Sequence, residues 1–258
     1  MIMRKNVTVL LLLFVIFAAC VLTGAVAQAQ ESTFTKEDLI KYTPKWKGER
    51  FEDGRPKVSD EILEKLKTVV IDDAILILKK HGFMNQYDDG YEVNQDYPVL
   101  VGRAVTGVFM PLRPDVTDVI LANAEKNEVS KSHNGRIVET LVPGDIVVAD
   151  LFGDITNTFA GGGVSGRINK MTEGRGGLVI NGGVLDKEEI HANIPDFTIY
   201  SRGWHPTHLN GVMLTGVNCP VRMGTASVMP GDVVLGGYEG ILFIPPHLAQ
   251  EIVDRYAK

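Results

Sequence analysis

The stretch "VPGDIVVAD" at residues 142–150 returns in altered form as "MPGDVVLGG" at residues 229–237. Each is Pro-Gly-Asp followed by a largely β-branched run. Proline presets the φ of a turn, glycine supplies the unusual backbone angle, and aspartate accepts nearby amide protons. Each stretch therefore reads as a tight turn feeding a strand, and the pair predicts two strands entering one compact, barrel-like sheet. No linker separates them, so a single domain is expected.

Working outward, strands and helices alternate from residue 135. The expected order is strand "GRIVETLV", strand "DIVVAD", a Gly-rich turn, a helix near 164–173, strand "GLVI", a helix near 187–193 and strand "FTIYS". Such alternation is the signature of a layered α/β body. After residue 211 only short strands follow, "GVMLTG", "PVRM", "ASV", "DVVLGG" and "GILFIP", before a closing helix in "PPHLAQEIVDRYAK". Upstream, "YPVLVGRAVTGVFM" (97–110) reads as a strand and "DVTDVILANAEKNE" as a helix. Ser59 caps an amphipathic helix, and a second helix runs from Ile71 to a basic last turn and Gly82. Residues 30–58 are polar and irregular, with anchors at Tyr42, Trp46 and Phe51. They read either as an arm wrapping a body or a neighbouring subunit, or as a partly disordered linker.

The first 29 residues stand apart. Arg4 and Lys5 precede the apolar run "VTVLLLLFVIFAACVLTGAVA" and an Ala-Gln-Ala site at 27–29, the pattern of a cleaved export signal. The expectation is a periplasmic or secreted protein. The alternatives are an uncleaved membrane anchor, since the run is long enough to span, or lipidation at Cys20. Removing residues 1–29 takes away two cations and no acid, which moves the formal charge from −6 to −8. A chain this acidic has no electrostatic reason to bind nucleic acid or anionic lipid. Without Cys20, Cys219 is alone, so no internal disulfide forms and the fold stands on its core.

"AGGGVSGRI" (160–168) holds Gly161-x-Gly163-x-x-Gly166, the spacing of a dinucleotide fingerprint. The context is wrong: "DLFGDITNTFA" separates the glycines from the preceding strand, and Asn181 stands where the ribose-binding acid belongs. What survives is a helix start whose free amides and dipole suit a carboxylate or phosphate. The plain alternative is a helix start packed tightly on a strand. A second glycine turn at 182–183 lies one strand later, and Asp186 follows it. Asp186 read alone is an N-cap for "KEEIHAN". His205 and His208 fall short of a zinc set, and Ser165 does not sit in a nucleophile elbow.

Taken together, "PGDIVVAD…GGGVSGRINKMTEGRGGLVINGGVLDKEEI…FTIYSRG…PVRMGTASVMPGDVVLGGYEGILFIP" resembles the RraA-like family over roughly residues 98–246. That family includes metal-dependent aldolases cleaving 4-hydroxy-4-methyl-2-oxoglutarate and related 2-oxo acids, and the regulator of ribonuclease E activity. "WKGERFEDGRPKV" looks like a less characterised, exported branch. The resemblance implies a single β/β/α swivelling-type α/β domain over 59–258, behind a signal peptide (1–29) and an arm (30–58), assembled as homotrimers or hexamers.

The family's signature is an acid, twenty intervening residues, then Arg-Asp. Here Val164 and Leu185 stand at the acid and arginine positions, and only Asp186 is kept. The resemblance implies a divalent metal, Mg²⁺ or Mn²⁺, at Asp186, with Glu239 near the same site across a subunit boundary. It implies a substrate carboxylate held by Gly163, Val164, Ser165 and Gly166 beside Leu185. Arg167 is the candidate to replace the missing arginine, with Arg103, Arg175 and Arg202 behind it. The implied function is an exported lyase of the aldolase type on a 2-oxo acid or sugar-acid carboxylate. The alternative is a non-catalytic binding or regulatory protein on the same fold.

Overall fold

One long strand, β3 (Leu100–Pro111), organises the protein. The computed structural model describes residues 33–257. The expected export signal and the first residues of the arm lie outside the described residues. The strands after the two Pro-Gly-Asp turns, β4 (Asp145–Asp150) and β12 (Val233–Gly236), flank β3 on either side. Arg103 faces Asp145 in the parallel β3–β4 pair and Val233 in the antiparallel β3–β12 pair. The far half of β3 pairs with β9 (Val212–Val217) across an irregularity at Val108–Phe109.

From β4 the sheet continues in parallel through β5 (Gly177–Asn181) and β7 (Thr198–Ser201), ending on the antiparallel β2 (Glu92–Val93). On the other side β12 pairs with β13 (Ile241–Ile244), which carries β1 (Tyr87–Asp88). The sheet curls into a half-barrel with helices against it, a mixed α/β architecture.

Helices α2 (Asp60–Leu66), α3 (Ile71–Lys80) and α8 (Ala249–Tyr256) bury Leu63, Leu66, Ile77 and Ile252 against Leu235, Leu242 and Ile244. Ser59 caps α2 as its sequence predicts, accepting the Ile62 amide at 3.4 Å. The arm carries a helix that periodicity did not reveal, α1 (Lys36–Tyr42), closed by a Thr35–Asp38 capping box. Beyond α1 the arm is pinned by Arg55, which is 1% exposed. Its guanidinium pairs with Asp53 at 2.6 Å and Asp145 at 3.0 Å, and lies 4.9 Å over the Phe51 ring.

One expected strand is a helix. After α4 (Pro114–Lys126), "GRIVETLV" forms the end of α5 (His133–Val138) and the turn after it. Ser132 caps α5 by accepting the Gly135 amide, and Ile137 and Val138 are buried. Gly107 in β3 makes the room: a Cβ there would lie 2.3 Å from Ile137 Cδ1. Packing on a glycine hollow outweighs the β propensity of Ile-Val.

Candidate functional site

Helix α6 (Gly162–Met171) begins at the carboxyl-end side of the parallel strands, with Gly161 as its N-cap. Ser165 donates its amide to Gly161 O at 2.9 Å and Gly166 lies one residue further into the helix. With the Gly162 amide donated to Asp186 Oδ2, the amides left for a ligand are those of Gly163 and Val164, the first half of the expected cradle of 163–166.

Asp186 holds the N-cap position of α7 (Lys187–Asn193), yet its side chain makes no capping bond there. It turns to the other helix instead, accepting the Gly162 amide on Oδ2 at 3.2 Å. To do so it adopts a left-handed φ of 60°, a costly angle for a residue with a Cβ. The glycines opposite are needed for space. A Cβ on Gly161 would lie 2.3 Å from Asp186 Oδ2, and one on Gly162 would lie 2.3 Å from the Glu189 carboxyl carbon. Two exposed carboxylates thus come down on one helix start.

Beside them opens a cavity of about 290 Å³. Gly161, Val164 and Leu185 form one wall, and Leu185 is 7% exposed. Lys131, His133 and His208 line it as well. His133 Nδ1 accepts from Arg136 at 2.7 Å and from the Leu214 amide at 3.3 Å. Burial holds this imidazole below its usual pKa, so it is neutral with its proton on Nε2, a donor rather than an acceptor there. His205 does not join His208; its Nδ1 pairs with Thr207 at 2.9 Å. No group of three or more His, Cys, Asp or Glu suited to a metal occurs among the described residues.

The other expected residues lie elsewhere. Arg167 is exposed on α6, has no partner among the described residues and does not line the cavity. Arg103 and Arg175 both pair with Asp60, at 2.9 and 2.6 Å, and Arg202 pairs with Asp88 at 2.6 Å. Glu239 sits at the β12–β13 hairpin and lines a separate cavity with Val70, Val99 and Tyr238. Its carbonyl accepts from Tyr87 Oη at 2.7 Å. Ser165 is fully buried in α6. Gly182 and Gly183 do not face a ligand: a Cβ on Gly183 would lie 2.1 Å from Ile155 O, so this turn exists to let the 151–157 loop close on it.

Sequence reasoning missed Lys131, His133 and the polar chain along the strand ends. In that chain Asn181 Nδ2 donates to Asp150 at 2.7 Å, and Arg202 Nε donates to Asn181 at 2.8 Å. Arg202 also stacks 4.0 Å over Tyr91, whose hydroxyl donates to Asp88. It ties together the ends of β4, β5 and β7. No short-range spacing announces either group.

Comparison with known proteins gives consistent matches. A family model described as RraA-like, Aldolase/RraA, matches residues 56–243. A protein of Halalkalibacterium halodurans named "Putative 4-hydroxy-4-methyl-2-oxoglutarate aldolase" is 26% identical over 157 residues, 60% of this chain and 72% of its own. An uncharacterised protein of Methanocaldococcus jannaschii is 24% identical over 193 residues, 73% and 85% of the two chains. Among solved structures, Streptomyces coelicolor RraAS2, described as an unusual member of the RNase ES inhibitor RraA protein family, aligns with a TM-score of 0.64 at 24% identity. It covers 80% of this chain and 93% of its own. At that identity the likeness speaks to the fold.

Proposed function

Because the chain belongs to the RraA-like family, we propose that it is a lyase of the aldolase type. It would act outside the cytoplasm, with Mg²⁺ or Mn²⁺, on a small 2-oxo acid or sugar-acid carboxylate. The observation that carries this reading is Asp186. It gives up the capping of its own helix and adopts a left-handed backbone to reach the Gly162 amide. A left-handed non-glycine backbone whose side chain leaves its own helix uncapped points to a functional demand.

The donor set suits a hard cation that keeps most of its water. Such ions ask for one or two carboxylates plus substrate oxygens, and Asp186 and Glu189 offer two at the helix start. Glu239 would join only from a second copy. When bound, the ion would supply Lewis-acid polarisation of the 2-oxo group. It also meets an electrostatic need, since an anionic substrate beside two exposed carboxylates requires a countercharge.

The chain's own residues have separate tasks. The Gly163 and Val164 amides, with the α6 dipole behind them, hold the substrate carboxylate. His133 Nε2–H donates to a substrate oxygen, and Lys131, which pairs with Glu125 at 3.1 Å, lines the same wall and can turn its ammonium to the substrate. His133, Lys131 and His208, rather than Arg167, take over from the missing arginine. Leu185 and Val164 give that wall an apolar surface, which excludes water and favours a substrate with an apolar substituent. The basic and apolar N-terminal pattern supports export.

The test is pyruvate release from a panel of 2-oxo acids with Mg²⁺ or Mn²⁺, comparing the native chain with Asp186→Ala. Activity unchanged by that substitution discards the metal role. The apolar pair Val164 and Leu185 favours one second reading, a non-catalytic carboxylate-binding protein. No heat of Mg²⁺ or Mn²⁺ binding at millimolar concentration, together with no turnover, would favour it.

A further inference from the structure

The two Pro-Gly-Asp turns differ in one respect. In the first, Asp145 Oδ2 accepts the Val142 amide at 3.1 Å and Arg55 at 3.0 Å, and Arg103 Nε lies 3.5 Å from Oδ1. In the second, Asp232 Oδ2 accepts the Met229 amide at 2.8 Å, and no other group among the described residues reaches the carboxylate. Asp232 is only 3% exposed. A buried carboxylate without a cation is costly. Burial alone pushes this one up to about 8.

The carboxylate is not sealed into the core. It lines a cavity of about 290 Å³ between the arm and the Pro245–Pro246 turn. Tyr42, Trp46 and Phe83 supply aromatic walls, and Lys45 and His247 lie at the same cavity. Trp46 is fixed by its Nε1–H, which donates to Glu49 O at 2.7 Å. His247 does not neutralise Asp232: burial, with Lys45 and His81 nearby, holds it below its usual range and uncharged. Lys45 does not neutralise it either. Its ammonium sits 5.7 Å over the Phe83 ring, so that ring face already attracts a cation.

We propose that this cavity is a binding site for a small organic ammonium ion, with Asp232 as its countercharge and Tyr42, Trp46 and Phe83 as its walls. Once Asp232 is ionised, above about pH 8, an anion is repelled by the carboxylate. A divalent metal needs several oxygen ligands and finds one side chain. A neutral apolar molecule leaves the carboxylate unpaired. A weakly hydrated cation meets both features at once, the ring faces and the charge. The site is separate from the α6 cavity and does not depend on the activity proposed there.

Trp46 is one of two tryptophans, so Trp204→Phe in the full chain makes it the sole reporter. The probes are choline and 3,3-dimethyl-1-butanol, which has the same shape without the charge. Above about pH 8, where Asp232 is ionised, choline is expected to change Trp46 emission saturably, and the alcohol is not. Asp232→Asn keeps an acceptor for the Met229 amide and is expected to weaken choline binding about tenfold. Phe83→Leu is expected to weaken it about threefold. An equal response to both probes, no saturable response to choline, or choline affinity unchanged in either variant overturns the proposal. Should Asp232→Asn fail to fold, the two probes and Phe83→Leu still decide.

Discussion

Replacing Arg55 by methionine tests how the arm is held. The side chain is 1% exposed and its two ionic partners differ in burial. Asp53 is 36% exposed, so its pair with Arg55 is screened and counts for little. Asp145 is fully buried, and without Arg55 its nearest cation is Arg103 Nε at 3.5 Å, which makes no hydrogen bond to it. The cost therefore concentrates on one stranded carboxylate. Breaking a buried pair from one side typically costs about 3–5 kcal/mol, more than removing both charges. Arg55→Met is thus expected to lose that amount in urea unfolding at neutral pH, and adding Asp145→Asn, which still accepts the Val142 amide, is expected to recover most of it. The sign with pH follows. Burial already raises the Asp145 carboxyl, and its charged form is the destabilising one. The single variant should regain stability relative to the native chain as pH falls. A loss below about 1 kcal/mol, the size of an exposed ion pair, or a double variant that is additively worse, would refute this account of the arm.

Other expectations can be measured in parallel. Gly183→Ala places a Cβ 2.1 Å from Ile155 O, a backbone atom that cannot swing aside, so a loss of about 1–3 kcal/mol in denaturant unfolding is expected. Asp232 has a folded pKa raised from 3.8 to about 8. Its contribution to stability is therefore full below 3.8 and is lost as pH rises to about 8. Asp232→Asn should remove that slope, so its stability relative to the native chain rises with pH across the window; a flat difference would contradict the burial of the charge. Leu185→Arg puts a guanidinium at the wall of the α6 cavity and should raise kcat/KM on a 2-oxo acid by about tenfold; a variant that folds but gains nothing would mean that Lys131, His133 and His208 already saturate that role.

The twin Pro-Gly-Asp turns made the sheet legible because their information is local. Turn chemistry sits in three consecutive residues, and the two turns deliver β4 and β12 to opposite sides of β3. The helix at 187–193 and the Ser59 cap were legible for the same reason. "GRIVETLV" misled because its fate is decided by Gly107, which lies in another element and opens the hollow that Ile137 fills. Gly182 and Gly183 misled in the opposite way. A glycine pair marks close approach of something, and the sequence cannot say whether that is a ligand or, as here, the Ile155 carbonyl.

The candidate site divides along the same line. The glycines at 161–162 and the acids at 186 and 189 were visible, since each is a short conspicuous run, but their relation was not. Only the fold reveals that the glycines are there because the carboxylates land on them. Arg167 attracted attention by adjacency in sequence, yet it ends in solvent while Val164 faces the cavity. The polar groups that do face the cavity come from Lys131 and His133, on the segment that α5 brings across, and from His208 on the loop after β8 (Gly203–Trp204). On the proposed function, the position emptied of its arginine is served by residues distant in the chain. Substituting Lys131, His133 and His208 therefore tests the proposed activity more directly than substituting Arg167.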